Sequence, residues 1–258
     1  MKALNNILCR LLLVLVFKVG AVISTSGQGT VLAQHLGSSD PTTEGFSLSV
    51  SSDGSVGPVS NDHGFDAWQT HNNGGGFAYY VQALSPQQQA QVAGSDWVMS
   101  ASLRIVSPSS LGVADALTTG SELFQLFFGS TPNGDPFVQI DSPGNPKFVL
   151  TGAGSTYNTY QLKYDSMSGT AGLWVDGVEE ANNIPGIPNI QTAEAFWGLG
   201  QSAGPTANWS QFSLTAVPEP STTCLLLFGG GAMALRLRAR RPSHHWAKGI
   251  QESVKGSR

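Results

Sequence analysis

The chain has 258 residues, of which 40% are hydrophobic and only 12% charged, with 31 glycines, 14 prolines, two cysteines and a formal net charge of −4. Both cysteines, Cys9 and Cys224, lie near the ends, so the central region has no disulfide framework and no thiol chemistry, and must be held by a packed core. Between residues 34 and 216 three basic side chains, Arg104, Lys147 and Lys163, stand against fifteen acidic ones, a formal charge of −12 that repels phosphate backbones and excludes nucleic acid as a partner.

In chain order, residues 1–33 read as a secretory signal peptide. Lys2 and Arg10 flank the start, Leu11 to Ile23 is apolar apart from Lys18, and Val31-Leu32-Ala33 offers small residues for cleavage before Gln34. An N-terminal membrane anchor is the competing reading; the lysine inside the run argues against it.

Residues 34–216 form one domain. Turn signals recur at Asp53-Gly54, Asn73-Gly74, Asn133-Gly134 and Asp176-Gly177, with short apolar or alternating runs between them, which is the pattern of antiparallel β structure. The expected strands are 46–51, 65–70, 77–82, 97–106, 122–129, 136–141, 147–151, 158–165, 171–176, 195–201 and 208–216. In the Trp97 run, Trp97, Met99, Ala101, Leu103 and Ile105 share one face. One short helix is expected, with Ser85 as N-cap, Pro86 at the first helical position and Gln87 to Ala93 following.

The hairpin YNTYQLKYDSMSGTAGLWVDGV, residues 157–178, fixes its own register. Closing it through Ser166–Gly169 pairs Asp165 with Thr170, so Leu162 meets Leu173 and Tyr160 meets Val175 on the core side, whereas Gln161 meets Trp174 and Thr159 meets Asp176 on the other. A strand ending in Tyr-Asp that turns into one ending in Val-Asp-Gly resembles the corresponding hairpin of LamG-like, concanavalin A-like domains. The run from Leu84 through Val106 is similar to the short helix and long strand of the same domains. The resemblance implies an all-β, two-sheet antiparallel jelly-roll sandwich whose curved face binds glycans or proteins in many members, some with calcium at the rim.

After the domain comes Val217-Pro218-Glu219-Pro220, then an apolar run from Thr222 to Leu235, then Arg236, Arg238, Arg240 and Arg241. The run spans about fourteen residues where a crossing helix needs roughly twenty, so it is a marginal span, with the arginines on the cytoplasmic side. This ordered triplet over 217–241 resembles the PEP-CTERM sorting signal. The resemblance implies a Gram-negative bacterium, an exosortase-type membrane protease as processing partner, initial anchoring in the inner membrane by the apolar helix 222–235, and delivery to the cell surface or exopolysaccharide matrix. The basic tail 242–258, expected to be disordered, departs from the family, whose arginines lie almost at the C-terminus; a plain C-terminal anchor is the alternative.

No pair of carboxylates stands at the same-face spacing that glycoside hydrolysis on this fold requires, and no G-x-S-x-G elbow is present. His63 and His71 lie in polar loop sequence without partners at metal-ligand spacing. Asp135 and Asp141 suit calcium or ordinary turn chemistry equally; no cofactor is otherwise indicated. Contact with sugar is assigned to solvent-facing aromatics beside amides: Trp174 with Gln161 and Asp176, then Trp68 with Gln69, and more weakly Trp197. The expected function is a secreted, surface-sorted, non-enzymatic sandwich contacting carbohydrate or extracellular polysaccharide. A purely structural envelope protein and a glycan-active hydrolase are the alternatives.

Overall fold

The computed structural model describes residues 29–107, 111–200 and 204–217. Residues 1–28 of the leader expected over 1–33, residues 218–241 of the sorting segment expected over 217–241 with its apolar helix, and the tail 242–258 lie outside the described residues. No helix among the described residues is long and apolar enough to cross a membrane.

Sixteen strands and one α-helix follow in order: β1 (Thr30–Leu36), β2 (Ser47–Val50), β3 (Gly54–Asp62), β4 (Phe65–Asn72), β5 (Ala78–Ala83), α1 (Pro86–Gly94), β6 (Asp96–Ile105), β7 (Val113–Thr118), β8 (Glu122–Ser130), β9 (Pro136–Ile140), β10 (Lys147–Val149), β11 (Asn158–Asp165), β12 (Thr170–Val175), β13 (Val178–Pro185), β14 (Ile187–Pro188), β15 (Glu194–Leu199) and β16 (Thr206–Val217). Among the described residues they form two eight-stranded sheets, all pairings antiparallel, as in a jelly-roll sandwich. The first sheet runs β13-β12-β11-β6-β16-β4-β3, with β1 also on β16; the second runs β10-β9-β8-β7-β15-β5-β2, with β14 on β8. The helix is fixed by a full capping box. Gln88 N–H donates to Ser85 Oγ at 3.4 Å and Ser85 N–H to Gln88 Oε1 at 2.9 Å.

All eleven expected strands are present, and the hairpin has the expected register: Leu162 with Leu173, Tyr160 with Val175, Gln161 with Trp174, Asp165 with Thr170. Five strands escaped the pattern. β3 (GSVGPVSND) and β13 (VEEANNIP) carry the proline, glycine, charge and asparagine tolerated only at sheet edges, and both stand at the ends of the first sheet. β7 (VADALT) is rich in alanine and holds an aspartate, a poor β signal although all six residues are buried. β14 is two residues long. Residues 30–33, expected to close the leader, open β1, an integral strand paired from Thr30 to Leu36 against β16, with Leu32 and Ala33 buried. The expected cut after Ala33 falls in its middle.

The core between the sheets holds Trp97, Trp197, Trp209, Tyr80, Tyr160, Phe128 and Phe212, all fully buried. Trp209 Nε1–H donates to Thr70 Oγ1 at 3.0 Å and Trp68 Nε1–H to Tyr80 Oη at 2.9 Å, giving two of these rings the polar partner that burial demands. His35 stacks on Trp197 at 4.8 Å. Its Nδ1 lies 2.7 Å from Glu44 Oε2, and burial lowers its pKa, the Glu44 carboxylate opposing only in part.

Candidate functional site

Alternation along β11 and β12 sends Leu162 and Leu173 inward and therefore Gln161 and Trp174 outward. Trp174 is half-buried because its indole lies along the sheet surface: a Cβ placed on Gly172 would come within 2.6 Å of Cζ3 and 2.7 Å of Cη2, so only glycine lets the ring settle there. Lys163, paired with Gly172, holds its Nζ 4.3 Å from the indole centroid, a cation–π contact. Because paired residues of antiparallel strands share a face, one row crosses the outer surface of the first sheet: Glu179, Trp174, Gln161, Ser100, Ser213 and Gln34. Next to it run Thr159, Ser102 and Gln211. The row thus sets Trp174, with the Lys163 ammonium over its ring, among hydroxyls, amides and the Glu179 carboxylate, and farther along the same face exposed Phe65 packs on Tyr157, ring centroids 4.7 Å apart.

Toward the other end of this face a network gathers on Asp62, where β3 turns into β4. Arg104 on β6 holds the carboxylate in bidentate fashion, Nε to Oδ2 at 2.9 Å and Nη2 to Oδ1 at 2.7 Å, while its Nη1 donates to Ser155 Oγ at 2.8 Å. Tyr157 Oη–H and Asn208 Nδ2–H donate to Asp62 Oδ2 at 2.8 and 2.7 Å, and Asn208 accepts from Gln69. Burial pushes the Asp62 carboxyl up, but the hydrogen bonds from Arg104, Asn208 and Tyr157 outweigh it and hold its pKa below the ordinary value. Burial, then the hydrogen bond to Asp62, raises the Tyr157 hydroxyl. With each of its nitrogens engaged, Arg104 braces the face. Sequence reading missed this network because its members lie 42 to 146 residues apart; the one clue was that Arg104 is among only three basic residues in the domain.

The remaining expected residues separate from Trp174 and Gln161. Asp176 adjoins them in sequence, but its Oδ1 accepts from Thr159 N–H at 2.8 Å and its φ is +48°, so it serves the Asp-Gly turn between β12 and β13. Trp68 is only 7% exposed, points into the core and spends its N–H on Tyr80, so it is no part of the outer face. Trp197 is fully buried; in β15 it is Phe196 that faces out. Asp135 Oδ1 accepts from Gly152 N–H at 2.8 Å, a turn role. Among the described residues no group of three or more His, Cys, Asp or Glu side chains comes together to hold a metal ion.

One carboxylate is misplaced by ordinary rules. Asp115 on β7 lies between Val113 and Leu117 on the core side, paired with Trp197 and Leu126, and is 1% exposed. Neither oxygen makes a well-formed hydrogen bond. Burial pushes its pKa well above the usual carboxylate range, a backbone hydrogen bond from Leu126 opposing only in part, so burial favours the neutral acid.

Among solved structures the fold is similar to the conserved carbohydrate esterase of the Shiga toxin-encoding bacteriophage phi24B (TM-score 0.54, 14% identity, covering 74% of this chain and 100% of that one). It is also similar to botulinum neurotoxin type C, which interacts with two ganglioside molecules (TM-score 0.50, 11% identity, 78% of this chain, 51% of that one), and to a sialidase (TM-score 0.51, 7% identity, 72% of this chain, 19% of that one). At such identities these likenesses concern the fold alone. This chain spans all of the esterase chain, about half of the toxin chain and a fifth of the sialidase. No curated protein matches the chain. Residues 216–241 match the PEP-CTERM protein-sorting motif, a signal for export to the cell surface in Gram-negative bacteria. Residues 61–203, more than half of the chain, match the profile described as Vibrio cholerae sialidase, lectin insertion, and the chain belongs to that family.

Proposed function

We propose that this is a surface-sorted, non-enzymatic lectin-type sandwich that contacts extracellular polysaccharide through the outer face of its first sheet. The observation that carries the reading is Trp174: an indole lying on the sheet surface over Gly172, flanked by Gln161 and Lys163 in a row of serine and glutamine hydroxyls and amides. With the Lys163 side chain swung off the indole, such a ring offers an apolar face for the C–H groups of a pyranose, and its neighbours offer hydrogen bonds for the hydroxyls. Membership of a lectin-insertion family supports a sugar ligand. Protein recovered after expression of the full chain, tested on a glycan panel with and without calcium beside its Trp174→Ala and Gln161→Ala variants, decides the matter. Weakened binding in both variants is expected. Uniform failure of the unaltered protein to bind returns the domain to a structural role in the envelope, and turnover of a polysaccharide makes it an enzyme.

The localisation part of the reading has exosortase cutting near Pro218-Glu219-Pro220 after a transient anchoring in the inner membrane by residues 222–235. β16 runs to Val217, the residue before Pro218 in the sequence. At the other end, removal of the leader must leave β1 intact, since β1 covers Gln211 to Ala216 of β16. Ser24-Thr25-Ser26 supplies small residues three and one positions before Gly27 and is the better cleavage site. Intact mass of the exported protein tests both ends: the expected species begins at Gly27 and lacks all four tail arginines, and one beginning at Gln34 refutes the upstream cut.

A further inference from the structure

The outer face of the second sheet has a built depression of its own. β7 contributes Ala114 and Ala116, which alternate with the core-side Val113, Asp115 and Leu117 and are 3% and 5% exposed. In register beside them lie Gly198 and Phe196 of β15 and, on the other side, Phe127 and Gln125 of β8. Gly198 has φ +136°, and a Cβ there would meet Ala78 O and Tyr79 Cα at 2.6 Å, so the floor cannot rise at that point. Phe196 continues into an aromatic wall, 5.0 Å from Tyr79, which is 5.4 Å from Phe77. With strands about 4.8 Å apart, Phe196 and Gln125 stand about 10 Å apart and Tyr79 and Phe127 about 14 Å, over a floor of methyls and glycine. The resulting cleft has a volume of about 250 Å³ and is lined by Gly112, Ala114, Gln125, Phe127, Phe196 and Gly200 among others.

We infer that this trough is a second carbohydrate subsite, taking one uncharged sugar ring of a polysaccharide between Phe196 and Phe127. The inference rests on the reading of the domain as a sugar binder, but concerns a different sheet and different residues. Three features select the occupant. The volume falls below the ~300–1,000 Å³ of drug-sized pockets and suits a single ring. Two aromatic walls face the positions of a ring's C–H faces, while Gln125, with Gln139 register-paired to Phe127, brings amides to its rim. No described residue lining the cleft is charged, and the domain's −12 formal charge repels polyanions, so a neutral glycan fits and an acidic one does not. Since the two sheets turn their outer faces in opposite directions, one molecule can then hold two polysaccharide chains, and bridging raises avidity without any new contact.

The test uses protein recovered from expression of the full chain, with two soluble uncharged glucans, dextran and laminarin, and anionic alginate, read by calorimetry and by protein-dependent turbidity. An uncharged glucan is expected to bind better than alginate. Phe127→Ala is expected to weaken that binding about tenfold, with Gln125→Ala weakening it less and Phe127→Tyr retaining it. Trp174→Ala is expected to leave a residual site that binds but no longer produces turbidity. If Phe127→Ala and Gln125→Ala bind like the unaltered protein while Trp174→Ala loses binding, the trough is not a subsite although the first-sheet reading stands. A converse result, with only the Phe127 and Gln125 variants affected, keeps the trough and removes the Trp174 face. Preference for alginate, or a change of oligomeric state in Phe127→Ala without change in binding, overturns the inference, the latter making this face a contact between copies of the chain. Binding of no glycan at all defeats both readings together.

Discussion

The β11–β12 hairpin and the β7–β15 pair are both built from alternating strands, and each carries a tryptophan, yet they treat polar groups in opposite ways. In the hairpin, Trp174 and Gln161 lie on the solvent side and the turn carboxylate of Asp176 is matched to a backbone N–H. At the centre of the second sheet, Trp197 is fully buried with its N–H unpaired, and beside it Asp115 sits in the core with no well-formed hydrogen bond. The contrast teaches that the domain has one region tuned for contact with solvent-borne groups and another that tolerates an unsatisfied acid, a cost that dense aromatic packing around it offsets.

The sharpest way to break this comparison is to truncate the buried members. Trp197→Ala is expected to cost about 3–5 kcal/mol and Leu173→Ala about 2–5 kcal/mol, measured by denaturant melts. A loss below 1 kcal/mol for Trp197→Ala in the same melts is the outcome that contradicts its place in the core.

Asp62→Ala comes next. It strips Arg104 of its bidentate partner and is expected to cost about 2–3 kcal/mol at neutral pH. Because the folded-state pKa of Asp62 is depressed, its contribution is present above the unfolded value near 3.9 and is lost as pH falls through the folded pKa. The variant should therefore lose part of the acid sensitivity of the unaltered protein between about pH 4 and the folded pKa, and melts across that range that run parallel in the two proteins contradict the assignment.

Asp115 gives the opposite slope. Its folded-state pKa is raised, so the folded protein keeps a proton that the unfolded chain releases above about 3.9, and stability falls as pH rises from there through the folded pKa. Asp115→Leu is expected to raise stability at pH 7 by about 1–3 kcal/mol and to flatten that decline. A destabilised Asp115→Leu protein means that the carboxyl has a partner the geometry does not reveal.

Smallest of all is the effect of Trp174→Ala on stability, expected at about 1 kcal/mol or less because the ring is half-exposed over Gly172. Its effect belongs to glycan binding. Equal destabilisation by Trp174→Ala and Trp197→Ala erases the distinction between the two regions.

How far the fold was legible varied with the range of the interactions. Helix α1 was readable because Ser85, Pro86 and Gln88 act within one turn. The β11–β12 register was readable because a short loop ties Asp165 to Thr170 and alternation does the rest. By contrast, Trp68, Trp174 and Trp197 all sit in strands of similar polarity. Trp68 faces inward although Gln69 beside it faces out, because neighbouring residues of a strand face opposite ways and only the second sheet decides which way is in. Edge strands β3 and β13 hid behind proline, glycine and charge, the features that keep an edge from pairing further.

The residues alone therefore determined the all-β class, the hairpin phase, the capped helix, the acidic domain and the sorting segment, because each follows from composition, from a short motif or from contacts within about twenty residues. The tertiary structure alone decided that β16 would lie between β6 and the pair β1 and β4, that Asp62, Arg104, Tyr157 and Asn208 would meet, and that Ala114 and Ala116 would floor a trough between Phe196 and Phe127. The physical reason is that a period of two fixes which residues of a strand share a face, while the identity of the neighbouring strand, and the direction of the core, are set by burial summed over both sheets.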